Sequence, residues 1–155
     1  MNEQSAAPDL SQGLGDISLI FAAREDAVRL ALDAVRTSLH ALGIGDDTKG
    51  AVEIVLAEAA NNIVEHAYED CTTGTIELNG CLRNGILLFE LRDRGKSLPH
   101  KRIPRKQHHD LAADLERLPE GGFGWGLIRD MTQSLAYRRV DGQNILRFAL
   151  GNAQG

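Results

Sequence analysis

Only two cysteines occur among the 155 residues, Cys71 and Cys81. Without a Cys-x-x-Cys pair or a Cys/His cluster, the chain has no zinc-finger pattern and no dithiol redox motif, and both cysteines read as free thiols. Positive charge is also short: 17 Lys and Arg stand against 22 Asp and Glu, giving a formal net charge of -5. General binding to nucleic acid or to an anionic membrane surface draws on a surplus of Lys and Arg, so a protein or small-molecule partner is expected instead. Long apolar runs are missing as well. No stretch approaches the roughly 18 apolar residues of a membrane span. Residues 1–15 lack the basic start and apolar run of a secretory signal, so a reducing cytoplasm is the expected compartment.

With 43% hydrophobic residues, the chain is long enough for one core and too short for two ordinary domains. Residues 1–15 carry no apolar period and read as a frayed tail. Ile17, Leu19 and Phe21 alternate with polar or small neighbours, the period of a half-buried strand. Val28, Leu32, Val35, Leu39 and Leu42 recur three or four apart, predicting a helix over 25–42 that stops at Gly43. A second helix is predicted to start after Asp46 or Asp47, acting as caps, and to run to about Tyr68 with Val52, Leu56, Ala59, Ile63 and Ala67 inward. Two strand-like runs, 75–82 and 86–92, flank Arg83-Asn84-Gly85 and predict a hairpin. A second hairpin, 134–140 with 144–150, closes around Asp141-Gly142. Between them, 95–120 holds three of the four prolines, the cationic Lys101, Arg102, Arg105 and Lys106, and His100, His108 and His109. It reads as a long functional loop with a short helix near 111–118. The order predicts an α+β two-layer sandwich, a mixed, mostly antiparallel sheet with helices on one face.

Three patterns carry chemistry. Glu58, Asn62 and His66 are four apart and share a helix face. A carboxylate there can act as a general base, and an Asn carbonyl can be one of the few protein ligands that Mg²⁺ takes beside phosphates and water. Asp93, at a strand end and followed by Arg94-Gly95-Lys96-Ser97, can accept a hydrogen bond from an exocyclic amine, while Gly95 lets the backbone approach a flat ring. Finally, Gly121-Gly122-Phe123-Gly124-Trp125-Gly126 puts four glycines in six residues at a helix start, where backbone N–H groups and the helix dipole favour phosphate. Neither a Walker A nor a Rossmann context surrounds them, and the triplets of eukaryotic protein kinases are missing.

The ordered set Glu58-Ala-Ala-Asn-Asn62 with His66-Ala67-Tyr68, then Asp93-Arg94-Gly95-Lys96-Ser97, then Gly121-Gly122-Phe123-Gly124 resembles the GHKL ATPase superfamily. Most closely it is similar to the RsbW-type anti-sigma factor serine/threonine kinases, over about 17–150. Ser97 stands where wider GHKL members carry a second glycine, a departure that those kinases often share. The resemblance implies a histidine-kinase-like (Bergerat) ATPase domain over 16–155 with an ATP lid at about 95–120. ATP and Mg²⁺ are the implied cofactors: Asn62 on the metal, Asp93 on adenine, Gly122 and Gly124 near the phosphates, and His66, Gly95, Lys96, Gly121 and Phe123 in the same pocket. Glu58 is the implied base acting on a Ser or Thr hydroxyl of an anti-anti-sigma (STAS) protein. A sigma factor is the implied alternative partner, and the chain is expected to form a homodimer. Two other readings follow from the same residues: a nucleotide-gated binding module that needs no base, and the catalytic half of a sensor histidine kinase, which the missing phosphoacceptor helix pair disfavours.

Overall fold

Two tight turns set the register of the sheet. Asn84 and Gly85 take φ of 52° and 78°, and Asp141 and Gly142 take 51° and 77°, the pair of positive values that a two-residue type I′ connection requires. The first joins β2 (Thr75–Arg83) to β3 (Ile86–Asp93) and pairs Arg83 with Ile86. The second joins β4 (Ser134–Val140) to β5 (Gln143–Leu150) and pairs Val140 with Gln143. With β1 (Ile17–Ala22) beside β2 and β5 beside β3, the computed structural model has one sheet in the order β1-β2-β3-β5-β4. It describes residues 15–67, 74–99, 103–104 and 122–151. Each pairing is antiparallel, so the expected sheet is right in kind and uniform where a mixture was allowed.

Strand alternation then divides the sheet into two faces. Ile76 and Leu78, Leu87, Phe89 and Leu91, and Leu146, Phe148 and Leu150 face the helices and share one buried cluster with them. At its centre Phe89 and Phe148, cross-strand partners, stack with ring centroids 5.5 Å apart. Burying each ring stabilises the fold by about 1.5–3 kcal/mol. Helix α1 (Glu25–Ala41) buries Val28, Ala31, Val35 and Leu39, the predicted stripe. It ends as expected at Gly43, φ 79°, where the Ile44 amide donates back to the Leu39 carbonyl at 3.0 Å. Helix α2 (Asp46–Asn62) differs at both ends from the expectation. Gly45 is its cap residue and no side chain caps it; Asp46 and Asp47 lie inside the first turn, where their charges complement the helix dipole. After Asn62 the backbone widens into a π-helical turn, Ile63–Ala67, and Tyr68 lies outside the described residues. Helix α3 (Gly122–Met131) packs on α2 through buried Trp125 and Ile128. The frayed tail, apart from Gly15, the short helix expected near 111–118, the histidines of the loop and Cys71 also lie outside the described residues; Cys81 is buried and free. Among the described residues no helix is long and apolar enough to cross a membrane.

The opposite face holds a charge where a hydrophobic residue would be ordinary. Glu90 is 0% exposed. Arg92, two residues on, donates from Nε to Oε1 at 2.6 Å, and the cross-strand Arg147 donates from Nε to Oε2 at 2.6 Å. Both oxygens therefore take a charge-assisted bond, which is what permits an anion to be buried there. Glu90→Ala is expected to lower stability by about 2–3 kcal/mol, the scale of hydrogen bonds to a charged group. Urea unfolding would show it as a lower midpoint at an unchanged slope.

Candidate functional site

The three predicted patterns come from different elements, and two of them meet. Glu58 and Asn62 sit one turn apart on the last part of α2, facing the start of α3. A Cβ added to Gly124 would lie 2.8 Å from Glu58 Oε2, 3.5 Å from Asn62 Nδ2 and 3.8 Å from Asn62 Oδ1. Gly124 is thus a glycine because the carboxylate and the amide occupy the space that any side chain would fill. Asn62 is buried, and among the described residues its Nδ2 has no hydrogen-bond partner. An amide hidden from water and left unpaired costs about 1–3 kcal/mol, an expense that a ligand accepting its hydrogens would remove. Gly122 opens α3, so the free N–H groups of its first turn belong to the same neighbourhood.

The second group forms at the end of β3. Asp93 is 5% exposed, and both of its described hydrogen bonds land on Oδ1: from the Gly95 amide at 2.9 Å and from Asn144 Nδ2 at 2.9 Å. Among the described residues, Oδ2 accepts none. Burial pushes this carboxyl above the usual range, with the Asn144 and Gly95 hydrogen bonds and the Arg139 charge partly offsetting it. Asn144 belongs to β5 and faces Asp93 directly across the ladder. Its amide also donates to the carbonyls of Lys96 at 2.9 Å and Gly95 at 3.3 Å, and its oxygen accepts from Tyr137 Oη and, at 2.9 Å, Arg139 Nη1.

Sequence reasoning named Asp93 and Gly95 but missed Asn144, Tyr137 and Arg139. The available signal was alternation: Tyr137 and Arg139 follow Leu135 on the inward face of β4, where polar side chains need a partner. His66, expected in the same pocket, lies on the turn that follows Asn62. It is half-exposed on the π-helical turn, 3.8 Å from the Glu65 carboxylate, with no described bond to Asn62. Lys96 enters the described hydrogen-bond network through its backbone carbonyl. Gly121 and the Phe123 side chain lie outside the described residues. No hydrogen bond or ion pair among the described residues joins the Glu58 group to the Asp93 group. Two residues of the loop are anchored between them in sequence: Ile103 is buried in the core, and Arg129 of α3 donates to the carbonyls of Pro104 at 3.2 Å and Ile103 at 3.3 Å.

Comparison with known proteins bears on this arrangement. The histidine kinase-like ATPase domain matches residues 21–150. Proteins named serine-protein kinase RsbW from Bacillus thuringiensis and Bacillus cereus are 28% identical over 120 residues, 77% of this chain and 72% of theirs. Among solved structures, the RsbU and RsbW domains of a Mycobacterium tuberculosis protein align with a TM-score of 0.60 at 14% identity, over 87% of this chain and 32% of that one. The histidine kinase domain of a blue-light activated kinase from Erythrobacter litoralis aligns at 0.53 and 16% identity, over 82% of this chain and 62% of that one. At such identities the structures speak for the shared α+β fold. The chain belongs to the histidine kinase-like ATPase domain family.

Proposed function

We propose that the protein binds Mg-ATP between α2, the start of α3 and the end of β3, and transfers the γ-phosphate to a Ser or Thr hydroxyl of an anti-anti-sigma (STAS-type) protein. A sigma factor is the alternative partner in this reading, and the working unit is a homodimer. The observation that carries it is the meeting of Glu58 Oε2 and the orphaned Asn62 amide at the bare Cα of Gly124. Glu58 takes the hydroxyl proton as the oxygen attacks phosphorus; the bond to the bridging oxygen breaks and ADP leaves with its electron pair. Asn62 fits Mg²⁺ through Oδ1, with Nδ2 donating to a phosphate oxygen or a water. Bound there, the ion supplies charge neutralisation for the phosphates. Asp93 Oδ2 accepts from the adenine amine, and the α3 amides hold phosphate oxygens.

Single-turnover transfer of labelled γ-phosphate to an anti-anti-sigma protein tests the reading; ATP binding without transfer would leave the binding module that needs no base. Gly124→Ala is expected to fold, since the atom met at 2.8 Å is the end of a side chain that can swing aside. Swinging it misplaces the base, so transfer should fall by about 10–100-fold, the scale of an ångström's misplacement. Rapid-quench turnover beside a melting curve would separate that loss from unfolding.

Acidity should act through Asp93. Its folded pKa lies above its unfolded one, chiefly through burial. The ionised carboxylate therefore destabilises the ligand-free fold above the folded pKa, and that destabilisation is relieved as pH falls through it. The adenine bond needs the ionised form. ATP affinity is expected to drop on acidification before an ordinary exposed carboxylate would titrate, and Asp93→Asn should flatten the profile; calorimetric titration across the mildly acidic range measures both.

A further inference from the structure

The β4–β5 hairpin does more for Asp93 than lie beside it. Three of its side chains reach the backbone that follows Asp93. Asn144 Nδ2 donates to Lys96 O, Arg139 Nη1 donates to Gly95 O at 2.6 Å, and Tyr137 Oη accepts from the Leu98 amide at 3.1 Å. The same Asn144 amide holds Asp93 Oδ1. Arg139 and Tyr137 in turn fix the amide from behind by donating to its oxygen. A side-chain amide has two donor hydrogens and two acceptor lone pairs, and here all four are engaged. Such a closed set allows one orientation of Asn144, and hence one orientation of the Asp93 carboxylate, with Oδ2 left over.

We propose that Asn144 is a positioning residue for base recognition: with Tyr137 and Arg139 behind it, one amide both aims Asp93 and fastens residues 95–98, so that selecting the base and ordering that segment are a single event. The proposal rests on the reading that Asp93 receives an adenine amine, and it adds who holds Asp93 and what else moves when the base arrives. Asparagine suits the position because it donates to a carboxylate without adding charge. An apolar residue of its size would remove the Asn144 bonds to Asp93 Oδ1 and Lys96 O together, leaving Oδ1 to the Gly95 amide and Gly95 O to Arg139. A base bound to Oδ2 pulls on a carboxylate that is already tied through Asn144 to Tyr137 and from there to the Leu98 amide.

The test compares wild type with Asn144→Leu and Tyr137→Phe, using Mg-ATP and Mg-ITP, which presents a carbonyl where ATP has its amine. Hydrogen exchange at the Gly95 and Leu98 amides is followed with and without nucleotide. Wild type should prefer ATP and slow exchange at both amides when it binds. Asn144→Leu should lose about tenfold or more of that preference, the effect of one hydrogen bond to a charged acceptor, and exchange faster at Gly95 even without nucleotide. Tyr137→Phe keeps the ring and loses only the hydroxyl; it should expose Leu98 to exchange and lower the ATP preference severalfold. A folded Asn144→Leu that still prefers ATP as wild type does would overturn the proposal. Should that variant fail to fold, Tyr137→Phe decides: unchanged Leu98 exchange with unchanged ATP preference overturns it equally. Wild type that binds neither nucleotide would instead sink the underlying nucleotide reading, while exchange in the ligand-free variants still reports whether the fastening exists.

Discussion

Glu58→Gln is expected to reduce phosphoryl transfer by about 10²–10⁴-fold, the usual contribution of a positioned general base, while ATP binding stays within a few-fold of wild type. Glutamine keeps the size and one hydrogen-bonding oxygen of the carboxylate but cannot take up the hydroxyl proton. The packing around it should survive, because Glu58 is only half-buried and meets Gly124 with the tip of its side chain. Under single-turnover conditions the loss should appear in the chemical step and not in the concentration of ATP that half-saturates it, the signature of an interaction made only in the transition state. If transfer continued at the wild-type rate, Glu58 would be a structural carboxylate and the proton would leave by another route.

Asn62→Leu is expected to separate stability from function in opposite directions. The Nδ2 group is buried and has no partner among the described residues, so an apolar side chain of similar size should stabilise the protein without nucleotide by about 1–3 kcal/mol. For a chain of this length each kcal/mol moves Tm by about 2–4 °C. Nucleotide stabilises by mass action, and a ligand in hundredfold excess over its Kd adds about 2.7 kcal/mol. That increment should vanish in the variant. Melting curves with and without Mg-ATP give both results at once: a raised baseline Tm, and no further rise on adding nucleotide. A variant less stable than wild type when empty and still shifted by Mg-ATP would show that the amide is held by the fold and not kept for a ligand.

Much of this arrangement was legible in the chain because its signals are local. Asn84-Gly85 and Asp141-Gly142 announce the two hairpins through the positive φ that their turns need, and the α1 stripe states its own buried face. Glu58, Asn62 and Gly124 stood out because helical spacing and glycine density are visible without knowing the fold. What was not legible depends on pairing across the sheet. Asn144 is one polar residue after a turn until β5 is laid beside β3, which puts it opposite Asp93. Glu90 likewise looks like an ordinary strand residue until Arg147 arrives as its cross-strand partner. The widening of α2 after Asn62 was also hidden, since 63–67 continues an apolar stripe that an α-helix would satisfy equally well.

Strand order has a bearing on how the protein is made. β5 follows Glu58, Asn62, Asp93 and Gly124 in the chain yet inserts between β3 and β4, so each of those groups has left the ribosome before the strand that completes the Asp93 cluster. A nascent chain lacking β5 has no Asn144 to aim the carboxylate. On the proposed reading, the Asp93 cluster can take its base-binding form only once synthesis has passed this strand.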